Sequence, residues 1–212
     1  FPRGGFDFFL ELQARQSREW FKANKERYEE LWVHPLDALL GNLAERLSDV
    51  FPKMQSAGHR IFRIQRDTRF SPDKSPYKTH VAAHMPIHPI VGERWYTPSL
   101  YLHFGLDDSI FAVGTWQVDK DLLPLLRQRF ADDRWGGRLQ KLLDGLLKEG
   151  YVTHAHEELK RVPAPYPQDH PRAELLKHKG LSVSVPEIPE ELMQGPESVS
   201  YTHLRAHETG RN

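Results

Sequence analysis

Apolar residues recur at helical spacing through the first third of the chain and at strand spacing through the next. Phe6, Phe8, Phe9, Leu10 and Leu12 form a cluster that predicts a brief first helix. Ser17 is placed to cap a second, with Glu19 in its first turn, where the helix dipole favours negative charge. Trp20, Phe21, Tyr28, Leu31 and Trp32 then share one side, while Lys22, Lys25, Glu26, Glu29 and Glu30 hold much of the other. Pro35 is expected to stop that helix and open the next. The stripe of that next helix, Leu36, Leu39, Leu40, Leu43, Leu47 and Val50, ends before Pro52. These stripes read as core.

The period changes to two after Gly58. Strands are predicted near 60–66, 79–85, 99–105, 109–116 and 181–185, the third and fourth pairing across Gly105–Ser109 with Asp107 and Asp108 at the turn. Asp119 or Asp121 caps a helix bearing Leu122, Leu126 and Phe130, with Pro124 inside its first turn. Another helix runs from about Asp133 to Glu149 and is closed by Gly150. Four prolines between Val162 and Pro171 mark an ordered loop, followed by a short helix over 171–178. Grouped helices, adjacent strands and then helices predict an α+β fold, its mainly antiparallel sheet packed against N-terminal and central helices. We expect a single domain over 1–197. Residues 198–212 change character abruptly and read as a non-native or disordered tail, so His203 and His207 are set aside.

Composition narrows the function classes. A chain of 212 residues buries about 70 per cent of its unfolded surface, so it needs no disulfide or structural metal to fold. There is no cysteine, which removes thiol nucleophiles, thiolate zinc sites and iron–sulfur ligation. Lys and Arg total 29 against 29 Asp and Glu, which argues against a generally basic protein that coats nucleic acid. No apolar run approaches the ~18 residues of a membrane span, and no signal-peptide pattern opens the chain. A soluble cytoplasmic protein is expected, with no membrane partner. The chain opens on Phe1 rather than methionine, and its natural start is expected upstream.

The neutral total hides a local imbalance. Arg60, Arg63, Arg66, Arg69, Lys74 and Lys78 face only Asp67 and Asp73 within residues 60–78. The segment begins on a predicted strand and runs into a loop stiffened by Pro72 and Pro76, which partly preorganises its charged side chains. Phe70 and Tyr77 are expected to anchor that loop. Guanidinium groups this close repel one another unless an anion bridges them, and their planar forks suit carboxylate or phosphate. The segment therefore predicts an anion site, with Arg63, Arg66, Arg69, Lys74 and Lys78 as cations and the Tyr77 hydroxyl as a donor. Strand geometry sends Arg66 inward with Phe62 and Ile64, and Arg63 outward with Gln65 and Asp67. The structural alternative is that these arginines pair with acids of the helical third and hold strand to helix.

If the site is catalytic, Asp67 and His170 are its candidate acid/base groups, Asp67 also orienting an arginine. The expected ligand is a phosphate-bearing small molecule, such as a nucleotide or another phosphoester. The alternatives are a nucleic-acid module, with Tyr77, Trp95 or Tyr96 stacking on bases, and a structural or interaction protein. His80, His84 and His88 share one strand face with His103 nearby. Residues four apart on a strand lie about 13 Å apart, too far for one ion, so no metal site is assigned. Ser71 and Ser75 read as loop serines. Gly4-Gly5 and Gly136-Gly137 fit neither a P-loop nor a dinucleotide fingerprint, so no cofactor is assigned.

The run from Arg63 to Lys78 follows the pattern R-x-x-R-D-x-R-F-x-x-x-K-x-P-Y-K at every defined position. In this it resembles a mainly bacterial family, domain of unknown function 2461. The resemblance extends upstream to Arg18-Glu-Trp-Phe21, Lys25 and Tyr28. Downstream it takes in Leu159–Pro163, Asp169-His-Pro171 and Glu174–Lys177, so that it covers roughly residues 6 to 190. The tail departs from the family's usual final helix. The resemblance implies a shared site around the motif and no particular reaction.

Overall fold

A computed structural model describes residues 1–2, 4–89, 97–155 and 157–185. Trp95, Tyr96 and the tail beyond Val185 lie outside the described residues. The described chain packs as two compact units, one made of residues 1–89 and 100–111, the other of residues 97–99 and 112–185.

The first unit opens with helices α1 (Gly5–Ala14) and α2 (Arg18–Ala23). Ser17 caps α2 as predicted, its hydroxyl accepting the Trp20 N–H at 3.1 Å. Next come α3 (Lys25–Tyr28) and α4 (His34–Arg46), joined by a π-turn at Glu29–Val33. Pro35 sits in the first turn of α4, as expected, yet does not stop the helix before it. The His34 N–H reaches back five residues to the Glu29 carbonyl, and the widened turn accommodates the missing proline donor. The π-turn buries Trp32, whose indole N–H donates to the Gly5 carbonyl at 2.9 Å. A Cβ on Gly5 would come within 2.9 Å of the Trp32 ring. The predicted leucine stripe is core: Leu36, Leu40, Leu43 and Leu47 are fully buried. A short helix, α5 (Met54–Ala57), follows.

A six-stranded sheet is built from β1 (Arg60–Ile61), β2 (His80–Pro86), β3 (Ser99–Gly105), β4 (Ser109–Thr115), β5 (Val152–His154) and β6 (Leu181–Ser184). Its order is β1-β2-β3-β4-β6-β5, and the β1–β2, β4–β6 and β5–β6 ladders are antiparallel. The α+β class stands. Val81, Ala83 and Met85 of β2 and Leu100, Leu102 and Phe104 of β3 are all buried. Phe104 stacks on Trp32, which fixes that face of the sheet against the helices.

The expected strand over 60–66 is shorter than predicted. Arg60 and Ile61 pair with His84 and Ala83, and the Phe62 N–H bonds the Ala82 carbonyl. Further on, Gln65 pairs with Tyr77. Three residues on one arm thus face five on the other, so Lys78–Ala82 contain two extra residues that break the ladder. The segment is an irregular hairpin whose loop, 66–76, carries the basic motif.

The second unit holds α6 (Leu123–Ala131), α7 (Trp135–Lys148) and α8 (Ala173–Lys177) beside β5, β6 and the end of β4. Its core is Phe130, Leu143, Val162, Leu175 and Leu176. Among the described residues no helix is long and apolar enough to cross a membrane.

Candidate functional site

The hairpin arm that carries Tyr77 is held from behind. The Tyr77 ring is buried and stacks on Phe21, with ring centroids 4.4 Å apart. Its backbone is gripped by the Gln16 side chain, which donates to the carbonyl at 3.2 Å and accepts from the N–H at 3.0 Å. The bonds Lys78 N–H to Ile64 carbonyl and Arg66 N–H to Pro76 carbonyl, each 2.9 Å, close the loop. Tyr77 anchors the motif; Phe70 does not. The Phe70 side chain is 91 per cent exposed at the loop tip, where its ring meets only the Arg69 guanidinium at 5.6 Å among the contacts described.

The cations divide into two groups. Arg69 is spoken for: Nε and Nη2 donate to the two Asp67 oxygens at 3.0 and 2.7 Å, and its backbone N–H adds a third bond. Those bonds hold the Asp67 carboxyl down at about 2, so it stays ionised and is a weak proton acceptor at neutral pH. Lys74 donates to the Thr68 carbonyl at 2.8 Å. Both interactions shape the loop.

Arg63, Arg66 and Lys78 are differently placed. Arg66 Nη1 lies 3.1 Å from Asp73, yet its Nε is buried without a hydrogen-bond partner among the described residues. Asp73 is shared, accepting the Ser75 N–H at 2.8 Å; that bond and then Arg66 lower its carboxyl. Arg63 is exposed and Lys78 part-buried, and neither has an ion pair among the described residues. Burial first, then Arg63 and Arg66, push the Lys78 ammonium below its ordinary range. The predicted inward course of Arg66 behind Ile64 and outward course of Arg63, Gln65 and Asp67 match the burial observed.

Spacing along one strand did not reveal the neighbours of these cations. The rings of His80 and His103 lie 4.0 Å apart across β2 and β3. The His103 Nε2 lies 3.0 Å from Asp108 Oδ1, and its Nδ1 lies 3.1 Å from the Tyr101 hydroxyl. Burial, His103, Lys78 and Arg66 in turn hold the His80 imidazole down at about 3, so it is neutral at physiological pH. Among the described residues no group of three or more His, Asp or Glu is arranged to hold a metal ion.

His170 belongs to the second unit. Its Nδ1 accepts the Arg172 backbone N–H at 3.0 Å, and its ring meets Tyr166 edge-on, shaping the turn into α8. The buried side chain beside it is Arg172, which donates to the Phe130 and Ala131 carbonyls at 2.7 and 2.6 Å and to Asp133 at 2.8 Å. Arg172 thereby closes the C-terminal end of α6. The same unit has a cleft of about 410 Å3 lined by Arg129, Phe130, Trp135 and Leu139, largely apolar and lacking an acid/base group.

Fold and motif together define an α+β protein with a cation-rich hairpin. The family of conserved hypothetical proteins designated DUF2461 matches over residues 5–204, and the chain belongs to that family. No curated protein and no solved structure matches it.

Proposed function

We propose that this protein binds a phosphate-bearing small molecule, a nucleotide or another phosphoester, against Arg63, Arg66 and Lys78. The observation that carries the reading is Lys78. It is a part-buried ammonium beside two guanidinium groups, with no carboxylate paired to it among the described residues. A cation taken from water gains nothing from like-charged neighbours, and the empty Arg66 Nε adds a buried donor without an acceptor. A phosphate supplies the missing negative charge and acceptor oxygens at once. Arg69, Lys74 and Tyr77 contribute by holding the loop. The test is a thermal-shift series with inorganic phosphate and a panel of nucleotides and sugar phosphates. Arg66→Ala and Lys78→Met should each abolish the rise in midpoint, and no rise with any of these ligands would overturn the reading.

The nucleic-acid reading draws support from Phe70, an exposed aromatic beside Arg69 at the loop tip. It requires salt-sensitive binding to a single-stranded oligonucleotide, weakened by Phe70→Ala while binding of inorganic phosphate is unaffected.

A further inference from the structure

The sheet face opposite the helices carries the ionisable side chains of β2 and β3. Alternation puts His80, Ala82 and His84 of β2 on this face together with Tyr101, His103 and Gly105 of β3. Gly105 is what lets the two imidazoles meet. A Cβ there would stand 2.7 Å from the Cβ of His80 and 3.0 Å from Nε2 of His103.

The hydrogen-bond polarity of this cluster follows from its acid. Asp108 as a carboxylate only accepts, so the proton of a neutral His103 sits on Nε2 and the lone pair on Nδ1. The Tyr101 hydroxyl must then donate to Nδ1. Burial, with a smaller contribution from Asp108, raises the Tyr101 phenol to about 12, so it keeps its hydrogen throughout the neutral range. A second proton on His103 goes to Nδ1 and reverses that bond. Nδ1–H then donates to the Tyr101 oxygen, and the hydroxyl hydrogen turns to another acceptor.

We propose that His80, His103 and Tyr101 belong to the anion site, which takes a doubly charged oxyanion of the phosphate-monoester kind together with one proton from solvent. The anion lies against Arg66 and Lys78, the proton settles on His103 beside His80, and the released Tyr101 hydroxyl donates to the anion. This rests on the phosphate reading above and adds three ligand groups and a charge preference to it.

The charged groups around the pair explain the coupling. His80 faces His103, Lys78 and Arg66; His103 faces Tyr101, His80, Lys78, Asp107 and Asp108. Before binding, burial and Lys78 outweigh the two aspartates and keep His103 below its ordinary range. An anion among these cations reverses the local field and favours the imidazolium. A dianion shifts the potential at the pair twice as far as a monoanion in the same place, and so stabilises the incoming proton more strongly.

Sulfate is the probe of choice because it remains doubly charged from pH 5 to 8 and does not titrate itself. Calorimetry on the intact protein in two buffers of different ionisation enthalpy should give an uptake approaching one proton per sulfate near pH 6. Affinity should rise toward tenfold per unit fall in pH, the linkage limit for one proton. His103→Gln should bind sulfate with no such rise, while Tyr101→Phe should bind more weakly and keep the proton uptake. Histidine ring shifts of the unmodified protein, followed by NMR with and without sulfate, give the same answer should a variant fail to fold. Sulfate binding without proton uptake would overturn this inference and leave the phosphate reading intact. Binding of inorganic phosphate without binding of sulfate would overturn this inference alone, and failure of sulfate, inorganic phosphate, nucleotides and sugar phosphates alike would overturn both.

Discussion

One side-chain amide, that of Gln16, bonds both polar groups of the Tyr77 backbone, donating to its carbonyl and accepting from its N–H. Gln16 thus stands in for a neighbouring strand, in the corner between α1 and α2. It fixes the hairpin arm one residue before Lys78 and opposite Gln65. Gln16→Leu leaves two part-buried backbone groups without partners, and should cost about 2–3 kcal/mol in urea denaturation. Gln16→Glu keeps the acceptor and loses the donor, so an intermediate loss is expected. Both should weaken phosphate binding more than a distant destabilising substitution of equal cost, because Lys78 loses its placement.

Arg172 makes a structural prediction of the same kind in the second unit. It is 8 per cent exposed and satisfies two carbonyls at the end of α6 together with Asp133. Arg172→Met should lower stability by about 3–5 kcal/mol, since the carbonyls are left behind in an apolar setting. Arg172→Lys should recover little, as a single ammonium cannot reach three acceptors from one planar fork. Gly136→Ala should be comparably severe. A Cβ there would lie 2.0 Å from the Phe130 carbonyl oxygen that Arg172 also uses.

How far the sequence foretells these features depends on which interactions are local. The leucine stripe of α4, the Ser17 cap and β3 at 99–105 are set by period and by neighbouring residues, and all appear where expected. Pro35 misleads because a π-turn needs only one residue more than an α-turn, and nothing in Glu29–Val33 announces it. The two extra residues at Lys78–Ala82 are equally silent, since alternation in 60–66 looks unbroken from within that segment. His80 and His84 attract notice for their spacing along one strand, yet the partner of His80 is His103 on the next. Which residues meet across strands depends on register, and register is settled by the whole sheet. Gly105 and Asp108 could have been a signal, being a glycine and an acid in the turn that follows a strand histidine. Phe70 was expected to anchor the loop because it is aromatic; the buried contact with Phe21 belongs to Tyr77 instead.

The buried imidazole of His80 sets a direction for stability with pH. Its folded value, about 3, lies below the ordinary value of 6.5, so the unfolded chain binds the extra proton between the two. Stability from this group is therefore complete above about pH 6.5 and drains away as pH falls toward 3. The wild type should lose several degrees of thermal midpoint between pH 7 and pH 5, and His80→Gln should lose less over the same range. In saturating sulfate the wild-type loss should shrink, because the bound anion lets the folded protein take up a proton on His103 without unfolding.

Asp67 separates loop shaping from proton transfer. Its carboxylate is exposed and doubly bonded to Arg69, and exposed ion pairs contribute little to stability. Asp67→Asn should therefore leave the denaturation midpoint nearly unchanged, while freeing Arg69 from its fixed orientation. If Asp67 serves only to aim Arg69, phosphate affinity should fall by a few fold at every pH from 5 to 8. A carboxyl held at about 2 does not change its charge in that interval, so the affinity ratio between variant and wild type should be flat. A ratio that varies with pH would instead make Asp67 a proton-exchanging member of the site, and would require ligand binding to lift its carboxyl into the neutral range.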